Sequence, residues 1–369
     1  MYRPLVLLLL FLLLPGVSSA GELQPDHAVL FVGNSYTGSN APNHLAESYR
    51  QLTLEGQPQL ESLSIEALHP GGYTLMQHFQ DAQGQSTLND FLTDNDPAHL
   101  WNAVVLQDQS QLPAFPQTQV EWLASRDAAV GLAQMIADRG ATPLLLMTYG
   151  RRNGDPGPNS FRFPDFVTMN DLLTEGYEAY AAAIAAEGME VVVVPAGVAW
   201  RKIYDDTLAA GSDPQSPESL FSRLYTGDGS HPSALGTFLM ACVSYLSLQS
   251  SSCGDLEWAH SGISGDDRAT LAAAGDWAVA NYEQPGGGAG DDDDTAGDDD
   301  DAADDDDTSD DDDSSGDDDD SSSDDDDDDG GPGACSCSVS APETPRTHLS
   351  LLLLLVLSTL HARRRTPQP

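Results

Sequence analysis

A serine, an aspartate and a histidine carry the chemistry that can be read from this chain. Ser35 stands in the run Phe31-Val32-Gly33-Asn34-Ser35-Tyr36-Thr37, where an apolar stretch gives way to small and polar residues. Far along the chain, Gly227-Asp228-Gly229-Ser230-His231-Pro232 sets a carboxylate three residues before an imidazole. Held in a turn, that spacing lets Asp228 reach one ring nitrogen of His231 while the other faces a hydroxyl. This is the orienter, base and nucleophile relation of serine-dependent acyl transfer. Each motif also has an ordinary reading: serine is common in turns, and D-x-x-H-P describes a helix cap followed by a helix-initiating proline. Their co-occurrence favours chemistry. No His/Cys spacing suggests zinc, and no G-x-G-x-x-G or phosphate loop follows the first apolar run, so neither a metal nor a dinucleotide cofactor is expected.

Positioning such a set requires a scaffold, and the pattern of apolar runs supplies one. Residues 28–32, 63–68, 103–106, 143–148 and 190–195 are short, β-branched or Leu-rich segments bounded by polar or turn residues, and each reads as a buried strand. Between them, residues 43–52, 120–139, 166–187 and 232–248 are long and periodic enough for helices. The alternation predicts an α/β domain with a doubly wound parallel sheet over residues 21–285, whose strand C-termini are the place for a site. Ser35 falls at such an end.

With these residues in place the chain resembles the SGNH, or GDSL-like, hydrolases. In that family the nucleophilic serine follows the first strand in a G-D-S or G-N-S motif, and the base and its carboxylate come from a late D-x-x-H. Gly33-Asn34-Ser35 and Asp228 to His231 match both in the right chain order. The resemblance covers most of residues 29–248 and implies a flavodoxin-like fold. It also implies Ser35 as nucleophile, His231 as general base then acid, and Asp228 as its orienting partner. A glycine after the second strand gives its N–H to the oxyanion hole in the family; His69-Pro70-Gly71-Gly72-Tyr73 stands there, and Gly72 is favoured over Gly71. The family's G-x-N-D block is replaced by Leu106-Gln107-Asp108-Gln109-Ser110-Gln111. A Gln amide offers the same donor as Asn on one more methylene, so either Gln107 or Gln109 is a candidate third oxyanion donor. G-N-S-Y-T with L-Q-x-Q-S looks like a distinct bacterial branch.

After the fourth strand, Arg151 and Arg152 are candidates to line the cleft and meet a hydroxyl-rich or anionic substrate; surface ion pairing is their ordinary reading. Cys242 and Cys253 admit either a disulfide or two buried thiols. The resemblance implies hydrolysis of carboxylic esters, with short acyl groups such as acetyl on carbohydrate as the expected substrates. Two other readings are a surface binding protein that kept the fold without the activity, and an adhesive surface protein whose acidic stalk condenses calcium.

Composition separates this domain from the ends of the chain. Of 369 residues, 59 are acidic and 15 basic, a net charge of −44, and 26 of the acids are Asp residues in blocks between Asp291 and Asp329. A nucleic-acid partner is excluded on this reading, since no basic stripe exists and Lys202 is the only lysine. Residues 1–20, with Arg3, an apolar run and Ser18-Ser19-Ala20, read as a secretory signal peptide. Residues 286–333 read as a disordered, charge-extended linker. Residues 334–369 place Cys335 and Cys337 before an apolar stretch and Arg363-Arg364-Arg365. That order resembles the MYXO-CTERM sorting signals of myxobacteria, which implies processing by a dedicated protease near the cysteines, a membrane partner, and display on the envelope of a Gram-negative bacterium.

Overall fold

Alternate residues of the first apolar run face opposite ways, and both faces are covered. In the computed structural model, which describes residues 26–94 and 96–285, strand β1 (Asp26–Val32) sends Val29 and Phe31 into one core and Leu30 and Val32 into another. The other strands are β2 (Ser62–Leu68), β3 (Ala103–Leu106), β4 (Thr142–Leu146) and β5 (Val192–Val194). All neighbours pair in parallel in the order β2-β1-β3-β4-β5. This is the doubly wound, flavodoxin-like arrangement expected, with its switch point between β1 and β3. Register brings Leu68, Val32, Leu106 and Leu145 level across the sheet, so the loops that follow open on one edge.

The helices are α1 (Ser35–Gly38), α2 (Leu45–Gly56), α3 (Leu75–Gln83), α4 (Thr87–Thr93), α5 (Val120–Ala137), α6 (Phe166–Ala186), α7 (Ala196–Ala209), α8 (Leu220–Arg223), α9 (Ala234–Gln249) and α10 (Gly265–Asn281). α2, α7, α9 and α10 cover the Phe31 face, and α3, α4, α5 and α6 cover the Val32 face. The late helix starts at Ala234 rather than 232, because Ser233 is its cap and accepts from Leu235 and Gly236 N–H. Asp228 is therefore not the helix cap that the bland reading of D-x-x-H-P required. Strand β5 covers only Val192–Val194 of the expected run; it stops there because Pro195 cannot donate to the ladder and α7 begins directly behind it.

The expected leader, the Asp-rich linker, and the sorting motif with Cys335 and Cys337 lie outside the described residues. Among the described residues, no helix is long and apolar enough to cross a membrane.

Cys242 of α9 and Cys253 are joined by a disulfide across 11 residues with Cα atoms 5.3 Å apart. Closing a loop of that size in the unfolded chain is worth about 2–3 kcal/mol. Urea denaturation of Cys242→Ala/Cys253→Ala is expected to show a loss of that order. An unchanged midpoint would mean that the Asp276 carboxylate, which accepts from Cys253 N–H and the Ser252 hydroxyl, suffices to hold this turn.

Two histidines make the domain sensitive to acid. His27 Nε2 sits 2.7 Å from both the Tyr49 hydroxyl and the Gln249 amide nitrogen, and the latter can only donate. That nitrogen must be unprotonated, and burial pulls His27 down to about 4. His260, 2.8 Å from the Ser48 hydroxyl, is pulled down to about 4 for the same reason. Between pH ~6.5 and ~4 the unfolded imidazoles bind protons that the folded ones do not, so stability is full above that window and falls as pH drops through it. The urea midpoint should fall from pH 7 to pH 4.5, and His27→Gln should flatten the fall; equal slopes in both proteins would refute the assignment to His27.

Candidate active site

Strand β1 hands its chain to the site through a glycine that has to be a glycine. A Cβ on Gly33 would lie 2.4 Å from Thr37 Oγ1 and 2.6 Å from Gln107 Oε1, so any side chain there collides with the base of the next turn. Asn34 then caps α1 by accepting from Tyr36 N–H, and Ser35 is the first residue of that turn. Its Oγ stands 2.8 Å from His231 Nε2, and His231 Nδ1 stands 2.6 Å from Asp228 Oδ2. The three residues expected to act together are brought together in the expected sequence of contacts.

The turn carrying Asp228 and His231 is tightly specified. Asp228 Oδ1 accepts from Ser230 N–H at 2.9 Å, His231 N–H at 3.0 Å and the Thr226 hydroxyl at 2.7 Å, leaving Oδ2 for the imidazole. Gly229 supplies the positive φ of 69° that the turn requires. Partial burial works against ionisation of Asp228, but the bonds from the His231 ring, Ser230 N–H, the Thr226 hydroxyl and His231 N–H outweigh it. They hold the carboxyl well below the usual carboxylate range. A carboxylate fixed in this way keeps Nδ1 protonated and Nε2 free to take a proton from Ser35.

A cleft of about 300 Å³ opens over Ser35, lined by Asn34, Tyr36, Gly72, Gln109, Ser110, Arg151, Ser230 and His231. Gly72 reaches it with φ 73°, while Gly71 is absent from the lining. Among the described residues no hydrogen bond takes up the N–H of Ser35 or of Gly72. Gln109 Oε1 accepts from Gln111 and Leu112 N–H, which fixes the amide and leaves Nε2 with a weak 3.5 Å contact to the Ser110 hydroxyl. These are three donors in or beside the cleft at Ser35.

Gln107 is a correction. Its side chain is buried, its Oε1 accepting from Asn34 N–H at 3.0 Å and the Thr37 hydroxyl at 3.1 Å while Nε2 donates to the Asp108 carbonyl. With Oε1 bracing the Ser35 turn and Nε2 turned to the Asp108 carbonyl, this buried amide does not line the cleft, and of the two glutamines Gln109 is the one that does. The arginines divide likewise. Arg151 lines the cleft, donating to Asp155 at 2.7 Å and to the Ser110 hydroxyl at 3.2 Å. Arg152 does not reach it: its guanidinium donates to the Ser222 hydroxyl at 3.3 Å and its N–H to the Gly229 carbonyl at 2.9 Å, which supports the Asp228 turn from behind.

Sequence reasoning missed Tyr36, Ser110, Ser230 and Asp155. Tyr36 and Ser230 are chain neighbours of Ser35 and His231, and adjacency was a usable signal. Their hydroxyls meet at 2.8 Å, and the Tyr36 ring stands edge-on to His231 at 5.5 Å. Asp155, four residues after Arg151, also accepts from Gln111 Nε2 at 2.7 Å, so one buried carboxylate ties the arginine to the Gln109 loop.

No protein-family model matches the chain, and no curated protein matches it. Solved structures do. A DUF4886 family protein from Bacteroides uniformis is similar with a TM-score of 0.53 at 16% identity, over 69% of this chain and 95% of that one. A candidate SGNH hydrolase from Slackia heliotrinireducens is similar with a TM-score of 0.43 at 21% identity, over 60% of this chain and 99% of that one. An acetylxylan esterase from Geobacillus stearothermophilus gives 0.40 at 13% identity, over 64% and 97%. At these identities the likeness is one of fold.

Proposed function

We propose that this protein is an SGNH-type serine hydrolase acting on carboxylic esters. The observation that carries the reading is the unbroken contact sequence Asp228 Oδ2, His231 Nδ1, His231 Nε2, Ser35 Oγ, at 2.6 and 2.8 Å, on the switch-point edge of a doubly wound sheet. In the mechanism, Ser35 Oγ attacks the ester carbonyl as His231 Nε2 takes its proton, and Asp228 stabilises the imidazolium. The oxyanion is met by Ser35 N–H, Gly72 N–H and Gln109 Nε2. His231 then protonates the leaving alcohol, and the acyl-Ser35 ester is hydrolysed by a water that His231 deprotonates.

The small cleft, with Arg151 and the hydroxyls of Ser110 and Ser230 in its lining to face a hydroxyl-rich alcohol, supports short acyl groups, acetyl on carbohydrate above all. Export, envelope display and removal of the C-terminal segment belong to the same proposal and rest on the terminal sequence patterns alone; intact mass of the mature protein tests the two cleavages.

A panel of p-nitrophenyl esters and acetylated sugars tests the activity, with turnover expected to fall steeply from acetate to octanoate. The competing reading, a binding protein that kept the fold, predicts no turnover of any ester and no labelling by a fluorophosphonate. The complete contact sequence at Ser35 argues against it.

A further inference from the structure

The most deeply buried acid among the described residues lies outside the mechanism just described. Asp108 is 0% exposed, in the block that replaces the family's G-x-N-D, and each of its carboxylate oxygens has a separate task. Oδ1 accepts from Leu75 N–H at 2.9 Å and Gln109 N–H at 2.7 Å. Oδ2 accepts from the Ser125 hydroxyl of α5 at 2.6 Å and the Tyr180 hydroxyl of α6 at 3.2 Å. The Asp108 N–H and carbonyl are also engaged, with the Tyr177 hydroxyl at 3.3 Å and the Asn34 amide at 3.2 Å. The carboxylate thus bridges the two packed helices to the two loops at the cleft.

Those loops matter because of what they carry. Leu75 opens α3 immediately behind Gly72-Tyr73-Thr74, and Gln109 carries the cleft amide. Resting on the hydrolase reading, we propose that Asp108 is the positioning residue of the oxyanion site, holding the Gly72 and Gln109 donors at a fixed separation through one shared oxygen atom. Burial pushes this carboxyl up, against the opposing bonds from Ser125, Leu75, Gln109 and Tyr180. A cheaper apolar side chain would fill the same space, but it would let the two loops move independently. Oxyanion donors must sit about 2.7–3.1 Å from the oxygen that develops charge, a narrow window, so loose loops cost turnover rather than substrate affinity.

Asp108→Ala, Asp108→Asn and Ser125→Ala decide the matter, assayed with p-nitrophenyl acetate alongside thermal melts. Asp108→Ala is expected to lower kcat roughly 30-fold or more with KM changed less than about threefold, and to slow fluorophosphonate labelling in parallel. Asp108→Asn keeps an Oδ1 that accepts both N–H groups, so its kcat should stay within about fivefold of wild type. Ser125→Ala removes only a helix-side partner and should lower the melting temperature with little change in kcat. An active wild type with unchanged kcat in a folded Asp108→Ala overturns this inference alone. So does an equal kcat loss in Ser125→Ala, or, where the Ala variant does not fold, a folded Asp108→Asn more than tenfold impaired. A folded wild type without ester turnover removes the hydrolase reading and this inference with it.

Discussion

Replacing Ser35 by alanine is expected to lower kcat/KM for p-nitrophenyl acetate by about four to six orders of magnitude, with the fold intact. The size of the effect follows from the contact sequence. Without Oγ there is no acyl acceptor, and His231 Nε2 faces only water, so what remains is the background provided by the cleft donors. Ser35 Oγ makes one side-chain bond, to His231, and its loss should move the melting temperature by only a few degrees. His231→Ala should cost a similar factor, and the double variant little more than either single one, because the two residues act as a unit. Fluorophosphonate labelling reads the same point without a substrate choice: label on wild type, none on Ser35→Ala. Persistence of more than about a tenth of wild-type turnover in Ser35→Ala would mean that another nucleophile does the work, and the reading of this site would have to be abandoned.

How much of this was legible in the sequence depends on how local each relation is. Ser35 and the Asp228–His231 pair were legible because each is a short-range pattern: a nucleophile turn after a five-residue apolar run, and an i, i+3 pair around a glycine. Strands β1, β3, β4 and β5 were legible because a doubly covered sheet makes each a largely apolar run. Strand β2, at the sheet edge, instead alternates Leu63, Ile65 and Ala67 with Ser64 and Glu66 and is only partly buried, not the buried strand expected. Helix α10 was not legible, since its buried positions include Ala272, Ala274, Gly275 and Ala278, and small residues leave no apolar stripe to detect. Helix α7 was obscured by starting directly at Pro195 behind a three-residue strand.

At the site, what the sequence left open were choices between near neighbours. Arg151 and Arg152 diverge at the edge of the cleft, so one enters it and the other leaves, and composition does not say which. Gln107 and Gln109 flank Asp108, whose carboxylate bonds to Leu75, Gln109, Ser125 and Tyr180. Which amide faces Ser35 therefore depends on partners 17 to 72 residues away along the chain. The structure also gives a reason for each position in that block: Gln107 braces the Ser35 turn, Asp108 joins the loops to the helices, and Gln109 turns its amide to the cleft.

The same interlocking makes Asn34 more than a variant spelling of a G-D-S turn. Its Nδ2 donates to the Tyr73 carbonyl at 2.9 Å and the Asp108 carbonyl at 3.2 Å, tying the Ser35 turn to the Gly72 and Gln109 loops. Asn34→Asp keeps the acceptor for Tyr36 N–H but replaces the donor with a second oxygen, 2% exposed, aimed at two carbonyls. Two hydrogen bonds are lost, two carbonyls lose a partner and a charge is buried against them, a cost of about 3–5 kcal/mol. Protonation of the introduced carboxyl restores one donor. Its folded-state pKa is therefore raised above the unfolded value, and the penalty is largest at high pH and shrinks as pH falls. The quantity to measure is the stability difference between wild type and Asn34→Asp by urea denaturation at pH 8 and pH 5, since the difference cancels the histidine contribution common to both. A gap of several kcal/mol at pH 8 that narrows at pH 5 is expected, with kcat falling alongside it as the loops loosen. A gap below about 1 kcal/mol, or one that is level across that range, would show that the two carbonyls find other donors and that Asn34 does not join the three loops.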